Sequence, residues 1–115
     1  MKKLGILVSG QGSNMTAILN ACEQGYLQAE VEVVISSNPN ATALTKAKER
    51  KIDAIYFNES TNKNPEVLDT SICKVLHEHK VDLVLLAGFM KKIGPKVLSV
   101  FEGSILNIHP SLLPK

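Results

Sequence analysis

The chain has 115 residues, 44% hydrophobic and 21% charged, with 13 Lys+Arg against 11 Asp+Glu for a formal net charge of +2. This is the composition of one folded domain, long enough to bury a core without disulfide or metal staples, and it excludes a disordered chain. Charges are interspersed and aromatic residues reach only 4%, with no Trp, so neither a basic stripe nor a stacking platform for nucleic acid is present.

Leu4-Gly5-Ile6-Leu7-Val8 is too short an apolar run for a signal-peptide core or a membrane span, so residues 3–8 read as a first strand. Residues 13–24 place Met15, Ile18, Leu19 and Cys22 on one helical face, and Gly25 stops that helix. Residues 30–35 form a second strand that runs into the turn signal Ser36-Ser37-Asn38-Pro39. A second helix over 41–50 turns Ala43, Leu44 and Ala47 inward, and a short third strand covers 54–57. After a polar loop at 58–64, Pro65 opens a helix reaching about residue 79, with Leu68, Ile72, Val75 and Leu76 as its buried stripe. Residues 81–86 are almost wholly apolar, the pattern of a parallel strand covered on both faces. A short helix at 95–101 and a fifth strand at 104–108 complete the rhythm, which implies right-handed crossovers and a parallel sheet.

The two cysteines, Cys22 and Cys73, fall in separate predicted helices without metal-ligand spacing, which points to reduced, apolar side chains in a cytoplasmic protein. His77-Glu78-His79 has the look of a metal motif, but residues two apart on a helix do not face each other, so it reads as solvated surface. The chain ends at Pro110-Ser111-Leu112-Leu113-Pro114-Lys115 with two leucines and no element to bury them. A further C-terminal portion is therefore expected.

Two stretches carry chemistry. Ser9-Gly10-Gln11-Gly12-Ser13-Asn14 joins the first strand to the first helix. Its glycines allow close backbone approach, its short polar residues suit a helix entry, and free N–H groups with the helix dipole make a seat for an anion. A tight, well-capped turn is the alternative, but two glycines exceed what a cap requires, which puts the anion seat ahead. Met15 stands where a dinucleotide fingerprint wants a third glycine, the second strand lacks a terminal carboxylate, and no Gly-Lys-Ser/Thr is present. A monophosphate such as a sugar phosphate fits best.

In Ile105-Leu106-Asn107-Ile108-His109-Pro110, Asn107 and His109 share one face of the last strand at its C-terminal end, where open α/β sheets bind ligands. A side-chain amide can donate to a developing oxyanion and an imidazole can move protons near neutral pH, a pairing suited to acyl transfer. Either residue alone reads first as a hydrogen-bonded strand-end cap; for the pair, spacing leaves the two readings balanced. Gly88, in Ala87-Gly88-Phe89-Met90, leaves room for a planar ring, while Phe89 and Met90 serve a pocket or ordinary core packing.

Together, Ser9-Gly10-Gln11-Gly12-Ser13-Asn14, Leu86-Ala87-Gly88-Phe89-Met90 and Ile105-Leu106-Asn107-Ile108-His109-Pro110-Ser111-Leu112-Leu113-Pro114-Lys115 resemble the phosphoribosylglycinamide formyltransferases, the folate-dependent transformylases of purine biosynthesis. The resemblance covers about the first half of a family member. It implies a Rossmann-like α/β fold over residues 1–115, a single domain with a parallel sheet of about five strands in the order 3-2-1-4-5 and helices on both faces. It also implies transfer of a formyl group from the co-substrate 10-formyltetrahydrofolate to glycinamide ribonucleotide, with no metal, nucleic acid or membrane involved.

By that resemblance Gly12, Ser13 and Asn14 hold the ribonucleotide phosphate, and Met90, Lys91, Lys92 and Ile93 border the folate pocket. Asn107 and His109 match the catalytic pair, with Asn107 also against the folate. The family's catalytic aspartate lies beyond Lys115, and Pro65 stands near the place where some relatives carry a folate-contacting arginine. The Asn-x-His-Pro-Ser-Leu-Leu-Pro run is shared with methionyl-tRNA formyltransferase and formyltetrahydrofolate deformylase, and the opening loop narrows the match. A sugar-phosphate-binding module without turnover is the competing expectation. A fifth strand left at the sheet edge predicts self-association.

Overall fold

A computed structural model describes residues 1–9, 13–38, 42–57, 64–89 and 93–108, main chain only at 13 and 14. Strands and helices alternate throughout: β1 (Lys2–Val8), α1 (Ser13–Glu23), β2 (Ala29–Ser36), α2 (Thr42–Glu49), β3 (Asp53–Tyr56), α3 (Pro65–Glu78), β4 (Leu83–Leu86), α4 (Pro95–Val100) and β5 (Ile105–Asn107). The strands form one sheet in the order β3-β2-β1-β4-β5, every neighbouring pair parallel. Sheet order and helix placement follow the expectation from sequence. No helix among the described residues is long and apolar enough to cross a membrane.

Alternation along the strands divides the core in two. Leu4, Ile6, Val8 and Leu85 pack under α1 and α2, whereas Leu7, Val33, Ile35 and Val84 pack under α3 and α4. Helices α2 and α4 have 8 and 6 residues, shorter than an isolated helix that persists in water. Burial of Ala43 and Ala47 in one, and of Val97 with the adjoining Phe101 in the other, holds them in place.

Three local features depart from the sequence reading. The β1–β2 register shifts between Leu4 and Gly5, whose partners are Val31 and Val33. Glu32 is thus the extra residue of a bulge, and Val31 and Val34 both reach the same core layer although they are three apart. β4 begins at Leu83 rather than at residue 81, because Lys80 turns the chain with φ 55° and the Val81 N–H donates to the Leu76 carbonyl at 3.1 Å. Val81 is nevertheless core: a Cβ on Gly5 would come within 2.6 Å of Leu76 Cδ2 and 3.1 Å of Val81 Cγ2. The missing side chain in the central strand is what lets α3 and the turn after it settle onto the sheet. Asn64, expected in a loop, is the N-cap of α3, accepting from the Glu66 N–H at 2.8 Å ahead of Pro65.

Candidate functional site at the C-terminal edge of the sheet

In a fully parallel sheet all strand ends of one polarity lie along one edge. The order found here reverses direction at β1, with β2 and β3 to one side and β4 and β5 to the other. The crevice above β1 and β4 is therefore the switch point where open α/β sheets take ligands. Ladder hydrogen bonds run one residue past the strands and hold the loops side by side. The Ser37 N–H donates to the Val8 carbonyl at 3.1 Å, Ala87 N–H to Leu7 at 2.9 Å, and Ile108 N–H to Leu86 at 3.0 Å. The departure of the chain from β1 thus sits next to the departure from β4, and the end of β5 sits next to that. Two interstrand spacings separate the ends of β1 and β5, about 10 Å.

Of the residues singled out from sequence, Ser13 and Asn14 form the first turn of α1, directly above β1, where main-chain N–H groups lack helical partners. Asn107 is the last residue of β5, paired with Leu86 and exposed. Its exposure follows from the place of β5 at the edge of the sheet. Gly12, Met90, Lys91, Lys92 and His109 lie outside the described residues. Gly88 has φ +72°, a backbone conformation that favours glycine, and no atom of the described residues lies within 4 Å of the place its Cβ would occupy.

Ile93 lines a cavity of about 240 Å³ between α3 and α4, together with Leu68, Ile72, Pro95 and Val97. Pro65 lines it too, and Pro65 and Pro95 are the first residues of these helices. Crossover helices of a parallel sheet start at the edge where the preceding strands end, so the cavity lies at the same edge as the crevice.

The side-chain contacts of Ser36, Ser37 and Asp69 at this edge are not singled out by the sequence. Ser37 Oγ lies 2.6 Å from Ser9 Oγ, and Ser36, wholly buried, closes the adjoining turn by accepting from the Asn38 N–H at 3.0 Å. Asp69, only 5% exposed, accepts from the Lys96 N–H at 2.8 Å and the Val97 N–H at 3.1 Å. It thereby caps α4 from α3, a pairing 27 and 28 residues apart that no local pattern reveals.

His77 and Glu78 are exposed, as expected, but His79 is not simply solvated. Its Nδ1 lies 2.8 Å from the Val75 carbonyl and its Nε2 lies 2.9 Å from Asp53 Oδ2. Burial alone would lower its pKa, yet the Val75 carbonyl and the Asp53 carboxylate outweigh burial and raise it. Two acceptors facing both ring nitrogens suit the imidazolium, so His79 pairs structurally with Asp53. Among the described residues, no group of three or more His, Cys, Asp and Glu could hold a metal ion. Cys22 and Cys73 are free, half-buried, and packed against opposite layers of the core. Burial, and then the nearby Glu23 charge, push the Cys22 thiol pKa up, away from a reactive thiolate.

Comparison with known proteins accords with this geometry. Residues 2–115 match the formyl transferase family. The chain is 44% identical over 116 residues to the phosphoribosylglycinamide formyltransferase of Haemophilus influenzae, covering 100% of this chain and 54% of that protein. The crystal structure of glycinamide ribonucleotide transformylase 1 from Symbiobacterium toebii superposes with a TM-score of 0.90 at 36% identity, covering 95% of this chain and 51% of that one. A formyltetrahydrofolate deformylase structure from Pseudomonas putida shares the fold at 26% identity and a TM-score of 0.82, covering 94% of this chain and 38% of that one. The chain spans about half the length of the single-function bacterial relatives it matches.

Proposed function

This chain belongs to the formyl transferase family, and we propose that it carries the phosphate seat and the catalytic strand of an enzyme that moves a formyl group from 10-formyltetrahydrofolate to the amine of glycinamide ribonucleotide. The observation that supports this most is the β2-β1-β4-β5 neighbourhood. It sets the N-terminus of α1, the Gly88 turn and Asn107 along one edge, within the span of a single sugar phosphate and the formyl donor beside it.

In this reading the main-chain N–H groups at Gly12, Ser13 and Asn14 hold the phosphate, assisted by the α1 dipole. Met90, Lys91, Lys92 and Ile93 border the folate. The substrate amine attacks the formyl carbon, forming a C–N bond and a tetrahedral intermediate whose oxygen accepts from the Asn107 amide. As the bond from that carbon to the folate N10 breaks, a proton passes from the attacking nitrogen to N10 by way of His109. Small phosphorylated and folate substrates, together with unpaired cysteines, fit a cytoplasmic chain.

The test is calorimetric titration of the chain with glycinamide ribonucleotide and with 10-formyltetrahydrofolate, followed by an assay of formyl transfer. Binding of both ligands is the expected result, and where formyl transfer is measured Asn107→Ala lowers it about 10²–10³-fold. Ribonucleotide binding without any transfer would make the chain a sugar-phosphate-binding module. Release of formate from the folate without transfer to the ribonucleotide would favour a deformylase.

A further inference from the structure

Asp69 lies inside α3, yet its buried carboxylate serves a different helix. Lys96 N–H donates to Oδ2 at 2.8 Å and Val97 N–H donates to Oδ1 at 3.1 Å, the first free donors of α4. Gly94, the N-cap residue of α4, supplies no side-chain cap of its own. A Cβ at Gly94 would fall 2.3 Å from Asp69 Cγ, so glycine is what admits the carboxylate. A Ser or Asp at position 94 would satisfy the same N–H groups from within α4. Taking the cap from α3 instead does something a local cap cannot: it ties the backbone at residues 94–97 to one point on α3. Burying a carboxylate is costly unless its oxygens are occupied, and here each oxygen takes a main-chain donor.

Ile93 directly precedes Gly94 and lines the cavity whose other wall is Leu68 and Ile72, the α3 neighbours of Asp69. We propose that Asp69 is a positioning residue for the folate co-substrate, acting through Gly94 on Ile93. This rests on the reading of Ile93 as a folate-side residue, and it assigns to Asp69 the distance between the two walls. Lys96 also joins the two helices, through Nζ to Thr70 Oγ1 at 2.9 Å, but on the exposed side and without its side chain touching the cap.

The experiment compares the chain with its Asp69→Asn and Lys96→Ala variants by calorimetry, using 10-formyltetrahydrofolate and glycinamide ribonucleotide as separate ligands, and by thermal melting. An amide in place of the carboxylate keeps the shape but turns a donor toward one of the two N–H groups. The expected result is a folate Kd at least about tenfold higher in Asp69→Asn, a ribonucleotide Kd within about twofold, and neither changed in Lys96→Ala. If Asp69→Asn does not melt cooperatively, Asp69→Ser carries the same comparison with one acceptor retained. An unchanged folate Kd overturns the proposal, and so does equal weakening of both ligands, which would make Asp69 a purely structural cap. A wild-type chain that binds the ribonucleotide but no 10-formyltetrahydrofolate would strike down the folate-side reading first, and this inference with it.

Discussion

Ser9 Oγ and Ser37 Oγ lie 2.6 Å apart, joining the residue that leaves β1 to the residue that leaves β2. The main chain repeats the link, because the Ser37 N–H donates to the Val8 carbonyl at 3.1 Å. The entrance to the glycine loop is therefore held from the neighbouring strand before the loop begins. Ser37→Ala keeps the main-chain bond and removes the hydroxyl. The stability lost should be about 0.5–1.5 kcal/mol, the net worth of one such bond, read from urea denaturation. Ribonucleotide affinity should drop several-fold while folate affinity stays the same; loss of both, or of neither, would detach Ser37 from the phosphate seat.

A second prediction concerns pH. The pKa of His79 in the folded chain is raised above its ordinary value of 6.5. The folded state therefore binds the proton more tightly than the unfolded one. The stabilisation is fully present below about pH 6.5 and is lost as pH rises through the folded-state value. Asp53 is 72% exposed in its side chain, so the contribution is that of a screened surface pair, about 0.2–1 kcal/mol. Urea midpoints of the wild type and Asp53→Asn should differ on the acid side and converge on the alkaline side. Parallel curves would remove Asp53 as the partner. His79 and Asp53 lie at the end of α3 and the start of β3, away from the proposed site, so ligand affinity should not follow this titration.

A third prediction follows from the sheet edge. β5 is an outer strand of 3 residues; Leu106 within it is 49% exposed, and Leu98 and Val100 on the preceding helix α4 are 50% and 58% exposed. An unpaired edge flanked by apolar side chains pairs with other chains. The 115-residue polypeptide should elute from gel filtration as concentration-dependent oligomers, and Leu106→Lys should shift it toward monomer. A clean monomer at high concentration in the wild type would contradict this.

Much of the architecture is legible in the residues. Apolar strands alternating with helical stripes such as Met15, Ile18 and Leu19 prescribe a parallel sheet, since strands apolar on both faces need helices on both, and each helix has one stripe to bury. The glycine loop after β1 and the polar ending of β5 are readable because they break an otherwise aliphatic pattern at the ends of strands. Contacts between distant segments are not readable. Nothing near Glu32 announces a bulge, and Val81 looks like a strand residue until the Lys80 turn is seen. Asp69 does leave a trace, a carboxylate amid the stripe of Leu68, Ile72 and Leu76, but its partners arise only when α4 is docked. Gly5 in the midst of a β-strand is likewise a sign of close approach whose object, Leu76, is 71 residues away.

In the proposed site, the tips of β1, β4 and β5 serve one ligand environment. Amide NMR of the chain during titration with glycinamide ribonucleotide tests it most directly. Shift changes are expected at Ser13, Asn14, Gly88 and the Asn107 side-chain amide that saturate together with one Kd, while resonances of α2 and the start of β3 stay still. Changes confined to the β2–β3 side of the sheet, or separate Kd values for Ser13 and Asn107, would contradict it.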